Sequence, residues 1–397
     1  MIDRFRVRGC VLARTNRWRS RVALAIAALS LISGLPGLAS AQEAAPPTPL
    51  RQRFPGTGNV DRAYPVAADA AGNFVVGGYT TGSLAKPNTG SSDGFVIKYS
   101  AAGAVKWRVQ PGSADDEVVR GLATDGDGSV VAVGETRGAL VGPNQGEADA
   151  FVIKYDADGK VRWSRQFGTG GYDAAKGVAI DPGGNTIVAG YRDGNAFVMK
   201  FGPGGALKWQ RIRPSELLTG VATDAAGNIV VVGSVIAAYT PDGALRWVAR
   251  PERGAIGVAI NAAGRIFVTG SAGYTPAGVS QGYLAAYSKA GIQQWRRLFE
   301  KSDSDTENDS VGPMAIASGG NVIIGGMIGG FDEEVGFVAS YTPAGIRQWT
   351  LTPSNLVFNI GGVATNAAGY LAAAGTILDF DEPDGFYDGY LAKYRVQ

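Results

Sequence analysis

Asp69-Ala70-Ala71-Gly72-Asn73-Phe74-Val75-Val76-Gly77-Gly78-Tyr79-Thr80-Thr81 decides the fold, because the chain keeps returning to it. The D-A-A-G-N turn recurs at Asp224–Asn228, with variants at Asp125–Ser129, Asp181–Asn185, Asn261–Arg265, Ala317–Asn321 and Asn366–Tyr370. Each copy precedes a short apolar run ending in Gly or Ala-Gly. A second segment, Gly94-Phe95-Val96-Ile97-Lys98-Tyr99, has counterparts beginning at Ala150, Ala196, Val235, Gly282, Gly336 and Gly389. A third, Gly103-Ala104-Val105-Lys106-Trp107, repeats its Trp at Trp163, Trp209, Trp247, Trp295 and Trp349. Seven turns, seven second segments and six Trp segments define a repeat of roughly 50 residues, which is a propeller period.

Within a repeat, Phe95, Ile97 and Tyr99 alternate with Val96 and Lys98, the period of a strand. Turns with Gly in fourth place suit short hairpins that need a left-handed residue. The expected fold is therefore all-β: a seven-bladed β-propeller of four-stranded antiparallel blades. The seventh Trp segment is missing at the C-terminus, and Leu50–Thr57 aligns with the segment that starts at Trp163, with Leu50 in the place of Trp. The N-terminal strand should thus complete the last blade and close the ring. Each Trp, with Val105, Val161, Leu207 or Leu245 two residues before it, is expected to cover the seam between blades.

These motifs resemble the bacterial seven-bladed β-propeller repeat (SBBP) family over residues 50–397, most clearly in blades 1–3. The resemblance implies an extracytoplasmic or cell-surface protein and is silent on activity. The G-x-x-x-W spacing is also similar to quinoprotein-type repeats, usually eight-bladed, which the seven copies disfavour. Thr240-Pro241-Asp242-Gly243…Trp247 resembles a sialidase Asp-box but fails its spacing.

The N-terminus reads as an address. Residues 1–21 carry seven Arg against one Asp, Val22–Leu35 is apolar, and Ala39-Ser40-Ala41 is a small-x-small cleavage site. Residues 1–41 are expected to be a secretory signal peptide, 42–49 a Pro-rich linker and 50–397 the propeller. Cleavage would shift the net charge from +2 to −4, leaving no basic surplus for nucleic acid and no membrane span. The expected location is secreted, periplasmic or cell-surface, and the expected state monomeric.

Composition narrows the chemistry. About 15% of residues are Gly, 45% are hydrophobic, there is one Cys, and there is no His. Imidazole-based triads and Cys/His metal sites are excluded, and no catalytic residue or cofactor is assigned. The variable connections, between second and third strands and between blades, share one face of the ring, here called the loop face. Its acidic segments supply the candidates. Asp379, Asp381, Asp384 and Asp388 have the spacing of a candidate calcium loop. Asp303, Asp305, Asp309, Asp332, Glu333 and Glu334 form a candidate partner-binding arc, with Arg211, Arg213, Arg250 and Arg253 expected across the ring.

A binding or scaffold module for a protein or polysaccharide ligand is the leading expectation. A carbohydrate-active hydrolase or lyase on the loop face is the alternative. An enzyme should converge charged groups on the central channel. The small apolar inner segments GLAT, GVAI and GVAT favour the scaffold.

Overall fold

The computed structural model describes residues 44–52, 56–251, 253–274, 280–299, 310–329, 335–353, 357–378 and 387–396. Among them lie seven antiparallel sheets of four strands, the blades expected from the repeats. In blade 1 the strands run from the innermost outward as Asp61–Ala68, Phe74–Thr80, Asp93–Tyr99 and Val105–Val109. Blade 2 repeats them as Glu117–Thr124, Val130–Thr136, Asp149–Tyr155 and Val161–Phe167. Blade 3 uses Asp173–Ile180, Thr186–Arg192, Asn195–Phe201 and Leu207–Arg213. In blade 4 the middle connection shrinks to Ser234 and Val235, between Ile229–Gly233 and Ile236–Tyr239.

The ring closes as expected. The strand Pro49–Gln52 pairs with Tyr387–Arg395, the third strand of blade 7, and supplies that blade's outermost strand. Its register corrects one position. Trp107 pairs with Lys98 in blade 1, and the residue opposite the equivalent Lys393 is Arg51, not Leu50. The irregularity between Pro49 and Arg51 is the β-bulge that blade 1 has between Val105 and Trp107.

Close approach explains the small inner segments. Around the axis, innermost strands of adjacent blades pack backbone on backbone: a Cβ at Gly177 would lie 2.9 Å from the Cα of Gly220. Farther out the seams are apolar and buried. Val131, Val133 and Val152 of blade 2 share a cluster with Val188, Phe197 and Phe201 of blade 3.

The Trp residues close those seams. The indole N–H of Trp107 donates to Ala157 O at 2.8 Å, Trp163 to Pro203 O at 2.9 Å and Trp247 to Lys289 O at 2.9 Å, each in the next blade's outer hairpin. The ring lies on that hairpin's Gly. Gly159 has φ +84°, and a Cβ there would sit 2.9 Å from Trp107 Cδ2, so both backbone and space demand Gly. Of the apolar residues two places earlier, Val105 packs half-buried against the cluster that includes Ala374 of blade 7, whereas Val161, Leu207 and Leu245 are each more than half exposed. A bulge between them and the Trp breaks the alternation, as at Lys154/Tyr155 opposite Val161 and Trp163. Lys106, Arg162, Lys208 and Arg246, directly before the Trp residues, are exposed.

Buried ion pairs tie the inner hairpins to the third strands in blades 1–3. Asp69 meets Lys98 at 2.8 Å, Asp125 meets Lys154 at 2.8 Å, and Asp181 meets Lys200 at 2.7 Å. Lys98 also donates to Gly128 O of the next blade at 2.6 Å. Blades 5 and 6 lack both partners, with Asn261 and Ala286, then Ala317 and Ser340, at the matching places.

Candidate functional site: a cation and tyrosine cavity at the mouth of blades 1–3

On the loop face, each of the first three blades opens its innermost strand with a buried carboxylate. Asp61 accepts from the amide and hydroxyl of Thr57, Glu117 from those of Ser113, and Asp173 from those of Thr169. Glu117 also accepts from Thr136 Oγ1 at 2.6 Å. The third strands carry the same device: Asp93 accepts from Thr89 and Gln110, and Asp149 from Gln145 and Gln166. Burial holds Asp61, Glu117 and Asp173 above the ordinary carboxyl range despite these bonds. The connections are thereby fastened to the strand ends and make a rigid rim.

Inside that rim lies a cavity of about 430 Å³, lined by Tyr64, Tyr79, Arg120, Glu135, Arg137 and Tyr172, with Thr81, Ser91, Ser92 and Asp116 at its polar edge. Two positions of the repeat build it. The fourth residue of the innermost strand is Tyr64, Arg120 and Lys176 in blades 1–3, followed by Pro65 in blade 1 and by Gly121 and Gly177 in blades 2 and 3. The residue after the Gly of the second strand is Tyr79, Glu135 and Tyr191. The strands alternate, so both positions point to the channel mouth, and the curvature of the ring brings the three blades together.

Glu135 is the hub. Its Oε1 accepts from Arg120 Nε at 3.0 Å and Nη2 at 2.5 Å, and its Oε2 lies 2.7 Å from Lys176 Nζ. Burial alone would raise its carboxyl, but Arg120 and Lys176 outweigh it and hold Glu135 below the usual range. Burial lowers the Lys176 ammonium against the pull of Glu135. Burial also pushes the phenols of Tyr79, Tyr172 and Tyr191 up, and the negative charge of Glu135 reinforces the last two.

Aromatic faces carry the cations. Arg120 Cζ stands 5.6 Å from the Tyr64 ring centre, Lys176 Nζ 5.3 Å from that of Tyr191, and Arg137 Cζ 5.9 Å from that of Tyr172. Tyr172 and Tyr191 stack at 6.0 Å with planes 19° apart. Arg137 is exposed, and among the described residues it forms no ion pair with a carboxylate. Asp116 accepts from Ser92 Oγ at 2.9 Å.

Charged groups therefore converge at the mouth of the channel, contrary to the expectation drawn from its small inner segments. The small residues belong to the deeper part of each strand, and the charged ones precede them.

The sequence candidates fare differently. Asp303, Asp305, Asp309, Asp332, Glu333, Glu334, Asp379, Asp381 and Asp384 lie outside the described residues. Asp388 is described, opposite Ile377 in blade 7. It opens Asp388-Gly389-Tyr390-Leu391-Ala392-Lys393-Tyr394, so it holds the place of Asp93 and Asp149, the carboxylates that fasten connections. Its Oδ1 would sit 3.3 Å from a Cβ at Gly56. Among the described residues no group of three or more His, Cys, Asp or Glu is arranged to hold a metal.

The expected basic side of the loop face is also redrawn. Arg213 is paired with Glu216, and Arg250 lies 3.9 Å from the same carboxylate. Arg211 turns the other way, over Trp209, and donates to Gly243 O at 2.7 Å in a tight hairpin of blade 4. The packing of Trp209 on that hairpin carries Arg211 with it, away from the loop face.

Residues 148–349 match the family model described as outer membrane protein assembly factor BamB. The chain belongs to this family. The matched segment runs from the third strand of blade 2 to the outermost strand of blade 6, so the blade 1 wall of the cavity lies outside it.

Regulatory protein FlaEY of Caulobacter vibrioides is 25% identical over 305 residues, covering 70% of this chain and 27% of FlaEY. The uncharacterized WD repeat-containing protein L264 of Acanthamoeba polyphaga mimivirus is 26% identical over 114 residues, covering 26% of this chain and 8% of that protein. The chain thus spans under a third of the length of either relative. The WD40 domain of Neurospora crassa Pan2 superposes with a TM-score of 0.54 at 8% identity, covering 84% of this chain and 89% of that domain, a likeness of fold alone.

Proposed function

We propose that this chain is an extracytoplasmic, non-enzymatic binding module with SBBP-type repeats, whose ligand seats in the cation and tyrosine cavity of blades 1–3. The observation that carries this is Arg137, a guanidinium over Tyr172 at a fastened rim, with no carboxylate paired to it among the described residues. A binding function needs such preorganised groups and no proton transfer. The family's description, which names an outer membrane assembly factor, and the signal-like residues 1–41 support a location outside the cytoplasm.

Protonation states argue against catalysis at this site. A general acid or base works best with a pKa near the operating pH. Glu135 is held ionised by two cations, and Tyr79, Tyr172 and Tyr191 are pushed further from neutrality. The convergence of Tyr, Arg, Lys and Glu is the one feature that favours a carbohydrate lyase instead.

The test is capture from an envelope extract of the native source by immobilised chain. Arg120→Met combined with Arg137→Ala should reduce the retained material severalfold, while Arg162→Ala, on the outer wall, should leave it unchanged. Retention that is indifferent to the first pair would overturn the cavity as the binding site. Charge steering should also make association slow as salt rises, with less change in dissociation.

A further inference from the structure

The chemistry of the cavity goes further than binding in general. Resting on the binding-module assignment, we infer that the ligand is an acidic polysaccharide, and that one of its uronic acid residues occupies the cavity, its carboxylate on Arg137 and its ring against Tyr172.

Three features decide among ligand chemistries. The first is the cation. A guanidinium presents a planar fork that matches a carboxylate in two parallel hydrogen bonds. Arg120 and Lys176 are already engaged with Glu135, whereas Arg137 reaches the cavity over the Tyr172 ring. The second is the aromatic wall. Tyr64, Tyr79 and Tyr172 line the cavity with ring surface that suits the C–H face of a pyranose.

The third is the sign of the remaining polar groups. Asp116 and Glu135 line the same cavity, and Ser91, Ser92 and Thr81 stand beside them. Carboxylates repel a compact dianion such as phosphate or sulfate, yet accept well from hydroxyl groups. A ligand with one carboxylate and several neighbouring hydroxyls satisfies the cation, the rings and the acceptors together. A neutral sugar leaves Arg137 unanswered, and a phosphate leaves Asp116 opposed. The cavity volume of about 430 Å³ lies within the range of small-ligand sites, roughly 300–1,000 Å³. Thr81, Ser91, Ser92 and Asp116, which belong to the connections, line it, so a longer chain can continue across the loop face.

Calorimetry on the full chain with a galacturonate trimer tests this, with a galactose trimer and inorganic phosphate as comparison probes. The uronate trimer should bind, the neutral trimer should bind at least about tenfold more weakly, and phosphate should not compete. Arg137→Ala and Tyr172→Ala should each weaken uronate binding by about tenfold or more, with Arg137→Lys recovering part of the loss. Arg137 is exposed, so its variants should keep the wild-type melting temperature, which shows that the fold is intact.

Absence of uronate binding, equal binding of the neutral trimer, or competition by phosphate would overturn the ligand class. If uronates fail while envelope capture still depends on Arg120 and Arg137, the ligand class falls and the binding site stands. An unsaturated product, seen by its ultraviolet absorbance, would support the ligand class and remove the non-enzymatic assignment.

Discussion

At the scale of single residues, the chain varies its repeat in matched pairs. Asp69 and Lys98 are almost completely buried, and the first is held below the ordinary carboxyl range because Lys98 and Asn73 together outweigh the cost of burial. Removing one member of a buried pair strands the other charge and costs about 3–5 kcal/mol, whereas replacing both costs much less. Lys98→Met should therefore destabilise strongly, and Lys98→Met with Asp69→Asn should recover most of that loss, as read by urea unfolding. A carboxylate with a lowered folded pKa contributes stability above its unfolded value of about 3.9, and this contribution is lost as pH falls through the folded value. The gap between wild type and Lys98→Met should accordingly persist from pH 7 to about 4 and close only as pH falls below 4, through the lowered folded value of Asp69. Asp61, Glu117 and Asp173 shift the other way, which is why the difference between variants, and not the whole profile, is the quantity to follow.

At the scale of elements, the strands were legible because their turns are punctuated by Gly and their faces by alternation. The ring closure was legible from one missing Trp segment. What the pattern did not reveal was the bulge in each outermost strand, which exposes Val161, Leu207 and Leu245, and the one-residue difference in blade 7 that sets Arg51 and not Leu50 opposite Lys393. A bulge adds a residue without a sequence mark of its own. The Pro49–Gln52 strand makes the closure testable. Deleting residues 44–52 removes the outermost strand of blade 7 and leaves the Tyr387–Arg395 edge unpaired. The melting temperature should fall by roughly 4 °C, the effect of about 3 kcal/mol in a chain of this size. An unchanged melt would mean that the ring does not depend on this strand.

At the scale of the molecule, the ring is regular in backbone and uneven in chemistry. Blades 1–3 carry the buried Asp–Lys pairs, the carboxylate-fastened rim and the cavity; in the corresponding channel positions, blades 4 and 5 carry Thr219 and Ile256. The sequence showed Tyr79, Glu135 and Tyr191 directly after the Gly of three successive second strands, and Tyr64, Arg120 and Lys176 in fourth place of three successive innermost strands. Repeat comparison passes over such positions because they share no residue type. Their meaning is positional: only closure of the ring sets Arg120 and Lys176 on either side of Glu135. The acidic segments stand out in sequence because their charges are consecutive, and all of their candidate residues except Asp388 lie outside the described residues.

The claim that the ligand site is the mouth of blades 1–3 is tested most directly by hydrogen–deuterium exchange of the full chain, with and without the material it retains from envelope extract. Ligand in that cavity should slow exchange in peptides covering residues 62–82, 113–137 and 169–192, with blades 4–6 unchanged. Protection confined to residues 300–310 and 330–334, with none in blades 1–3, would contradict it and return binding to the acidic segments.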